Sequence, residues 1–483
     1  MKYKLKYTGL ILLSGILLVS CSRTANKPKD QKPKIVIGLM VDQMRWDYLY
    51  KFQSRYGEGG FKRLLREGFS CENTMNNHVP TATACGHSSV YTGSVPAING
   101  IIENSWYDRS LGREISNVAD TTVNIIGNEQ KEGRSPRNLL TTTIGDEMRI
   151  ATHYQSKVVG LAIKDRAAIL PAGHTSNGAF WYEGGKFTSS TFYMDTLPDW
   201  VNRFNQINWK DSLLPDGWNT LYPIDSYVLS DRDDVDYENI LSGEERPVFP
   251  HKKASLTSTP FGNTLTLAFA RAAIEGYHLG EGAFTDLLAV SLSTPDRIGH
   301  HFGPTSIEQE DNYLRLDKEL ENFFGYLDNR FGKEGYLFFI TADHGGNQSP
   351  GYLKAHKLPT GLLNEEDIVQ HAREAVRNKY GASELISAFS GAQVYLNHDL
   401  IEKKGLDKIS VARFVAQQLA KEPGIENAYA TAELTSVTLP ERIRQMFING
   451  YNPQRSGDIL MWWDAGWKPG SEKGAEHGNW NPF

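Results

Sequence analysis

Cysteine is scarce in this sequence, with three among 483 residues. A disulfide-stabilised scaffold is therefore excluded, because such domains need several paired cysteines. Cys21 lies near the N-terminus, and the sequence leaves open whether Cys71 and Cys85 pair with each other. The chain also lacks internal repeats and low-complexity segments.

An excess of basic charge is missing as well. The 51 Lys and Arg residues are outnumbered by 57 Asp and Glu residues, which gives a net charge of -6. This argues against a general nucleic-acid binder, which should be basic. An anionic substrate stays compatible with the composition, because a local metal site can reverse the sign of the field. The length and the 40% hydrophobic content indicate a globular protein of one large domain or a few smaller ones.

No apolar run is long enough to span a membrane. The apolar stretch 10–19 is too short, follows three lysines and ends in Leu18-Val19-Ser20-Cys21, which resembles the lipobox of bacterial lipoproteins. We therefore predict a signal peptide over 1–20, lipidation of Cys21 and a polar tether over 21–33. These features predict an exported lipoprotein in the periplasm or at the outer membrane, with no membrane contact except the lipid anchor.

Four continuous aliphatic runs predict strands that are buried on both faces, as in an α/β fold with a mostly parallel sheet. These runs are 34–41, 157–163, 285–292 and 336–340. A long amphipathic helix is predicted over 307–331. Two irregular blocks, about 171–284 and about 351–455, are predicted to be insertions that cap the core.

Residues with catalytic or metal-binding chemistry follow these strands, where open α/β sheets place their ligands. They are Asp42 after the first strand, Lys164 and Arg166 after the second, Asp296 and His300 after the third, and Asp343 and His344 after the fourth. Asp296 and His300 are four residues apart, so both lie on one face of a helical turn. Taken singly, each has a simpler explanation: a helix cap for Asp42, a solvated cluster for the cations, a turn for Asp343-His344.

The segment VPTATACGHSSVYTG, residues 79–93, predicts a helix whose first turn includes Thr83. Unpaired N–H groups and the positive end of the helix dipole would make its hydroxyl easier to ionise. A threonine still needs a metal or a base to become a nucleophile. The alternative is that Thr83 only caps the helix.

These residues divide into two sets, and each set has about as many ligands as one metal ion needs. Carboxylate and imidazole ligands suit zinc, and two metals about 4 Å apart can hold the attacking and leaving oxygens of an in-line displacement. One set comprises Asp42, Asp343, His344 and the Thr83 oxygen, and the other comprises Asp296, His300 and His477. The combination predicts phosphoryl transfer.

Seven motifs in this order resemble the alkaline phosphatase superfamily, and within it the threonine-dependent, phosphate-irrepressible alkaline phosphatases of bacteria. They are VDQMRWDYL, PTATACGHSSVYTG, IIENSWYD, IKDR, TPDRIGHHFGP, TADHGG and AEHG, between about residue 34 and the C-terminus. The resemblance implies an α/β three-layer sandwich over 34–483 with cap insertions. It also implies two Zn²⁺ ions and hydrolysis of phosphate monoesters through a phosphothreonine on Thr83, in a chain that we expect to be a monomer.

The resemblance further implies that Asn104, Lys164 and Arg166 hold the non-bridging phosphate oxygens. The Lys/Arg pair favours monoesters over diesters, because related nucleotide pyrophosphatase/phosphodiesterases lack it. Phosphodiesterase activity is the alternative, and a catalytically impaired metal-binding lipoprotein is another. The sequence stops six residues after His477, where the family has a further strand and helix, so we expect His477 to be weakly held.

Overall fold

The computed structural model describes residues 32–479. Three predictions lie outside this range: the signal peptide, the lipidation of Cys21, and all but the last two residues of the tether. Within it, no helix combines the length and the apolar character that crossing a bilayer requires. Cys71 is exposed and Cys85 is buried, and both are free thiols.

The central sheet has six strands in the order β6-β5-β4-β7-β1-β8. All neighbours in it are parallel except β5 and β6, which are antiparallel. The four predicted strands are confirmed as β1, β4, β7 and β8, and the mostly parallel α/β sheet is confirmed with them. The strands among the described residues are β1 Ile35–Val41, β2 Ser105–Asp108, β3 Arg113–Ser116, β4 Val158–Ala162, β5 Gly178–Glu183, β6 Lys186–Thr188, β7 Asp286–Leu292, β8 Tyr336–Thr341, β9 Gly361–Leu363, β10 Ile386–Ser390, β11 Gln393–Leu396, β12 Ile425–Ala430, β13 Ile459–Trp463 and β14 Trp467–Pro469.

The helices vary from single turns to the long α11, whose bounds agree with the predicted 307–331. They are α1 Tyr48–Lys51, α2 Phe61–Glu67, α3 Thr83–Thr92, α4 Pro96–Asn99, α5 Ile144–Ala151, α6 Asp165–Ala172, α7 Asp199–Asn205, α8 Trp209–Leu213, α9 Phe261–Gly276, α10 Thr294–Phe302, α11 Ile307–Phe331, α12 Pro350–Ala355, α13 Glu365–Tyr380, α14 His398–Lys403, α15 Lys408–Leu419 and α16 Glu441–Gly450.

Helices cover both faces of the central sheet, which makes three layers. On one face, alternate residues of β1, β4 and β7 pack with α9 and α11 in the largest hydrophobic cluster. On the other face, α6 and the start of α3 pack with Ala162, Ala179 and Trp181. Strand β7 is buried along its whole length, as a central strand covered on both sides must be.

The first predicted insertion requires a correction. Strands β5 and β6 lie within the predicted block 171–284, yet they extend the central sheet at its edge. Their aromatic residues, Phe180 and Trp181 among them, are buried against the helices of the two layers. The irregular part of this block therefore begins after Thr188.

The second block, about 351–455, contains most of a small α/β unit with its own core, and β13 completes this unit after the block. Strands β10, β11, β13 and β12 form an antiparallel sheet, and α13 and α15 pack on it. Strand β2 begins at Ser105 and forms an antiparallel hairpin with β3. Asn104 therefore lies in the loop before the hairpin.

Candidate active site

Four neighbouring strands of the central sheet end at the same edge, and each delivers polar residues there. Asp42 follows β1, Lys164 follows β4, Asp296 lies in the first turn of α10 after β7, and Asp343-His344 follow β8. Parallel strands place their carboxyl ends together, so the candidate residues converge although they are far apart in the sequence.

Thr83 is the first residue of α3, and the N-cap is Ala82. The threonine hydroxyl is therefore not used as the helix cap. Thr83 is fully buried, and its Oγ1 lies 3.2 Å from Lys164 Nζ and 3.5 Å from His344 Nε2. A hydroxyl beside a helix N-terminus and an ammonium group is easier to ionise than one in water.

One candidate metal group consists of Asp42, Asp296 and His344, whose ligand atoms lie within 4.8 Å of one another. Asp296, which we predicted only for the other set, also lies close to Asp42 and His344. The Oδ1 atom of Asp343 accepts hydrogen bonds from the backbone N–H groups of Gln43 and His344. Its Oδ2 lies 3.5 Å from His344 Nε2, so the predicted ligand Asp343 also lies beside this group.

The other candidate group, Asp296, His300 and His477, has the composition that we predicted. His300 Nε2 lies 3.2 Å from Asp296 Oδ1, and its Nδ1 hydrogen-bonds with the Ala475 carbonyl oxygen. Asp296 belongs to both groups and stands between them.

His477 is held more firmly than we expected. Its Nδ1 hydrogen-bonds with the carbonyl oxygen of Thr81 at 3.0 Å, and its ring stacks on His344 with centroids 3.7 Å apart. A β-bridge between Thr81 and Gly478 fixes the backbone beside it. The segment just before α3 therefore anchors this candidate ligand.

The charges at this edge fit divalent cations. Neither oxygen of Asp42 accepts a hydrogen bond from the described residues, and the same is true of Asp343 Oδ2, although all three are buried. Lys164 Nζ lies 2.7 Å from Asp42 Oδ2 and 2.6 Å from Asp296 Oδ2 as an ion pair. Buried carboxylates with free lone pairs, next to imidazoles, are a donor set that suits zinc.

The pKa values of the carboxylate and imidazole groups also favour metal binding at this site. Burial raises the pKa of Asp42 to about 6, and the charges of Asp296 and Asp343 contribute to this shift. Burial also lowers the pKa of His344 to about 4 and that of His477 to about 3, so both imidazoles are neutral at pH 7. Neutral imidazole is the form that binds a metal.

Asn104 and Arg166 line the pocket that opens from Lys164. Asn104 Oδ1 accepts a hydrogen bond from the N–H of Ala84, which ties the amide to the first turn of α3. The Nδ2 group of Asn104 is then the part of this side chain that can donate to a ligand. Arg166 Nε makes no hydrogen bond within the described residues. All three predicted phosphate-binding side chains are thus brought to one pocket of about 510 Å³.

Sequence reasoning missed several residues of the site. Gln43 lies between Asp296 and Asp343, and Glu476 Oε1 lies 3.3 Å from His300 Nδ1. In the sequence, only their positions next to the candidate ligands, Gln43 after Asp42 and Glu476 before His477, could have indicated them. Glu103 and Glu114, which also line the pocket, gave no signal at all.

The model of the family "Type I phosphodiesterase / nucleotide pyrophosphatase" matches residues 36–481. The chain is 48% identical to alkaline phosphatase PhoV of Synechococcus elongatus over 463 residues, which are 94% of this chain and 84% of that protein. It is 45% identical to alkaline phosphatase PafA of Elizabethkingia meningoseptica over 486 residues, covering 98% of this chain and 89% of the other. The crystal structure of wild-type PafA superposes with a TM-score of 0.90 and covers 93% of this chain and 89% of the other.

The fold and the site together define a protein of the alkaline phosphatase superfamily. Within that superfamily, the chain belongs to the type I phosphodiesterase / nucleotide pyrophosphatase family.

Proposed function

We propose that this protein hydrolyses phosphate monoesters with Thr83 as the nucleophile. The observation that carries the proposal is the position of the Thr83 hydroxyl at the start of α3, 3.2 Å from Lys164 Nζ and 3.5 Å from His344 Nε2 in one of the candidate metal groups. The names of the relatives, PhoV and PafA, are those of alkaline phosphatases and support the same reaction.

In the first step, Thr83 Oγ1 attacks phosphorus, a new P–O bond forms, and the bond to the leaving alcohol breaks. The ammonium of Lys164 and the N-terminus of α3 favour the ionised hydroxyl. Zinc ions held by the two ligand groups would supply positive charge beside the attacking and leaving oxygens. Water then attacks the phosphothreonine, which releases phosphate and restores Thr83.

Three side chains are suited to hold the non-bridging oxygens of the phosphoryl group. They are Asn104 through its free Nδ2, and Lys164 and Arg166 through their positive charges. A monoester dianion has one more charged oxygen than a diester, so two cations favour monoesters. Stabilisation of these oxygens supplies most of the catalysis when the transition state is loose.

The test is the Thr83→Ala variant, assayed with an aryl phosphate and analysed for zinc. We expect monoesterase activity to fall to background while the zinc content stays close to wild type, because Asp42, Asp296 and the imidazoles remain. Full activity in this variant would contradict the covalent mechanism. Lys164→Ala is the matched comparison, because it removes the clamp and leaves the nucleophile.

Phosphodiester hydrolysis is the second candidate, since the family name includes phosphodiesterases. An aryl diester and an aryl sulfate, assayed beside the monoester, separate the possibilities. We expect the monoester to react fastest and Arg166→Ala to reduce that preference. A preference for the diester in the wild type would favour the alternative. Zinc binding without turnover of any ester would instead indicate a metal-binding protein that has lost catalysis.

We further propose that the protein is exported and anchored to a membrane through a lipid on Cys21. The supporting observation is the lysine-bearing start, apolar run and lipobox-like ending in the sequence. A Cys21→Ser variant should appear in the soluble fraction after cell lysis, whereas the wild type should sediment with membranes. Equal distribution of the two proteins would contradict the anchor.

A further inference from the structure

The pocket has a second end, beyond the side chains that would hold phosphate. Its wall is formed by the β2–β3 hairpin with the loop before it and by the turn between β10 and β11. We call this the outer wall, and it consists of Glu103, Ser105, Glu114, Ser390 and Gly391. The pocket is continuous from the phosphate end to this wall, so the leaving alcohol of a bound ester has room to extend toward it.

The outer wall carries negative charge. Glu103 and Glu114 are its two carboxylates, and Ser105 and Ser390 contribute hydroxyl groups. Among the described residues that line the pocket, the cations are Lys164 and Arg166, both at the phosphate end. Asp296 and Glu476 also line the phosphate end, where the candidate metal groups would hold cations, whereas the outer wall itself contributes two carboxylates and no Lys or Arg.

Hydrogen bonds hold both carboxylates in position. Glu114 Oε1 accepts from the hydroxyl of Ser105 and, at 3.3 Å, from that of Ser390. These contacts connect the hairpin to the small antiparallel sheet. Glu103 Oε1 accepts from the backbone N–H of Asn104 at 2.8 Å, which places this carboxylate beside the phosphate clamp. Burial raises the pKa of Glu103 to about 7, so the group is ionised at alkaline pH.

We propose that the outer wall is a leaving-group subsite for alcohols that carry an ammonium group. The inference rests on the proposed monoesterase function and names its preferred substrates, which are the phosphate esters of small amino alcohols. An ammonium group near Glu103 and Glu114 gains charge-assisted contacts, whereas a second anionic group on the leaving alcohol is repelled by them. A neutral alkyl group is neither attracted nor repelled by these charges.

The experiment compares 2-aminoethyl phosphate, n-propyl phosphate and phosphoglycolate in wild type and in Glu103→Gln and Glu114→Gln. Glutamine keeps the size of the side chain and can still accept the observed hydrogen bonds. The measured quantity is kcat/KM for the amino ester divided by that for the propyl ester. Because each variant is compared with wild type, the difference in intrinsic reactivity of the esters cancels.

We expect this ratio to fall about fivefold in each variant, which is the size of one partly exposed charge interaction. Phosphoglycolate should become a better substrate by a similar factor. Glu132→Gln is the matched control, because Glu132 pairs with Arg113 on the same hairpin and does not line the pocket. Its ratio should equal that of wild type.

An aryl phosphate, assayed as a further substrate, distinguishes failure of the monoesterase function from failure of the leaving-group subsite. If wild type does not hydrolyse it, the proposed function fails. If wild type hydrolyses it and the ratio in both glutamine variants stays within twofold of wild type, the leaving-group subsite is overturned while the monoesterase function stands.

Discussion

Gln43 connects the two candidate metal groups, and its replacement gives a strict test of the site. The residue is 2% exposed and has a left-handed backbone with φ of 63°. Its Nε2 donates to Asp296 Oδ1 at 2.7 Å, and its backbone N–H donates to Asp343 Oδ1 at 3.1 Å. Gly299 and Gly346 lie against its Oε1, where a Cβ atom would collide. The surrounding chain is thus shaped around this side chain.

The Gln43→Gly variant separates two effects. A left-handed backbone costs a non-glycine residue about 1 kcal/mol, which glycine recovers. The lost hydrogen bond to a charged carboxylate costs about 1.5 to 3 kcal/mol. We therefore expect the metal-free protein to lose about 1 kcal/mol of unfolding free energy. Asp296 also loses the contact that orients it as a ligand, so zinc affinity should fall about 10- to 100-fold.

The assay is a zinc titration against a chelator of known affinity, with denaturant unfolding of the metal-free protein as a second measurement. Gln43→Asn is the control, because asparagine tolerates the left-handed backbone but its amide is one methylene too short to reach Asp296. It should bind zinc as weakly as the glycine variant. Zinc affinity equal to wild type in both variants would refute the reasoning.

Three further predictions follow from other parts of the structure. Chelation should abolish monoesterase activity and added zinc should restore it; activity that persists without metal would contradict the ligand assignment. Gly86→Ala should impair activity and cost about 1 to 3 kcal/mol, because its Cβ would collide with the backbone of Asp343; unchanged activity and unfolding would disprove this packing. Burial would raise the pKa of Asp146, but hydrogen bonds from His174, Thr143 and Thr175 lower it below 3.8. Asp146→Asn should therefore cost about 2 kcal/mol at pH 7, and the difference from wild type should shrink as pH falls below about 4; a constant difference would refute it.

The sequence predicted the central sheet well because buried parallel strands are continuous aliphatic runs. The run 285–292 differs from the observed β7 by one residue, and the predicted helix 307–331 has the observed bounds. Strands β5 and β6 were missed as sheet members. Their aromatic and polar residues lack the aliphatic pattern, and only pairing with β4 shows that they belong to the sheet.

The candidate ligands that the structure brings together could be chosen from residue type and from position after a strand. The way in which they are shared was not predictable. Asp296 stands in both candidate groups because β7 lies between β4 and β1 in the sheet, and two backbone N–H groups hold the Oδ1 atom of Asp343. Strand order and backbone hydrogen bonds do not appear in a local sequence pattern.

The sequence by itself determined the fold class, and it predicted Thr83 as the nucleophile and the chemical kind of each candidate ligand, because these depend on local hydrophobic runs and on side-chain chemistry. Tertiary structure alone decided that Gln43 contacts two carboxylates, Asp296 and Asp343, which lie 253 and 300 residues after it in the chain. It also decided that the hairpin and the small sheet together form an acidic outer wall. Contacts over such separations depend on how strands are ordered and packed, which no short segment encodes.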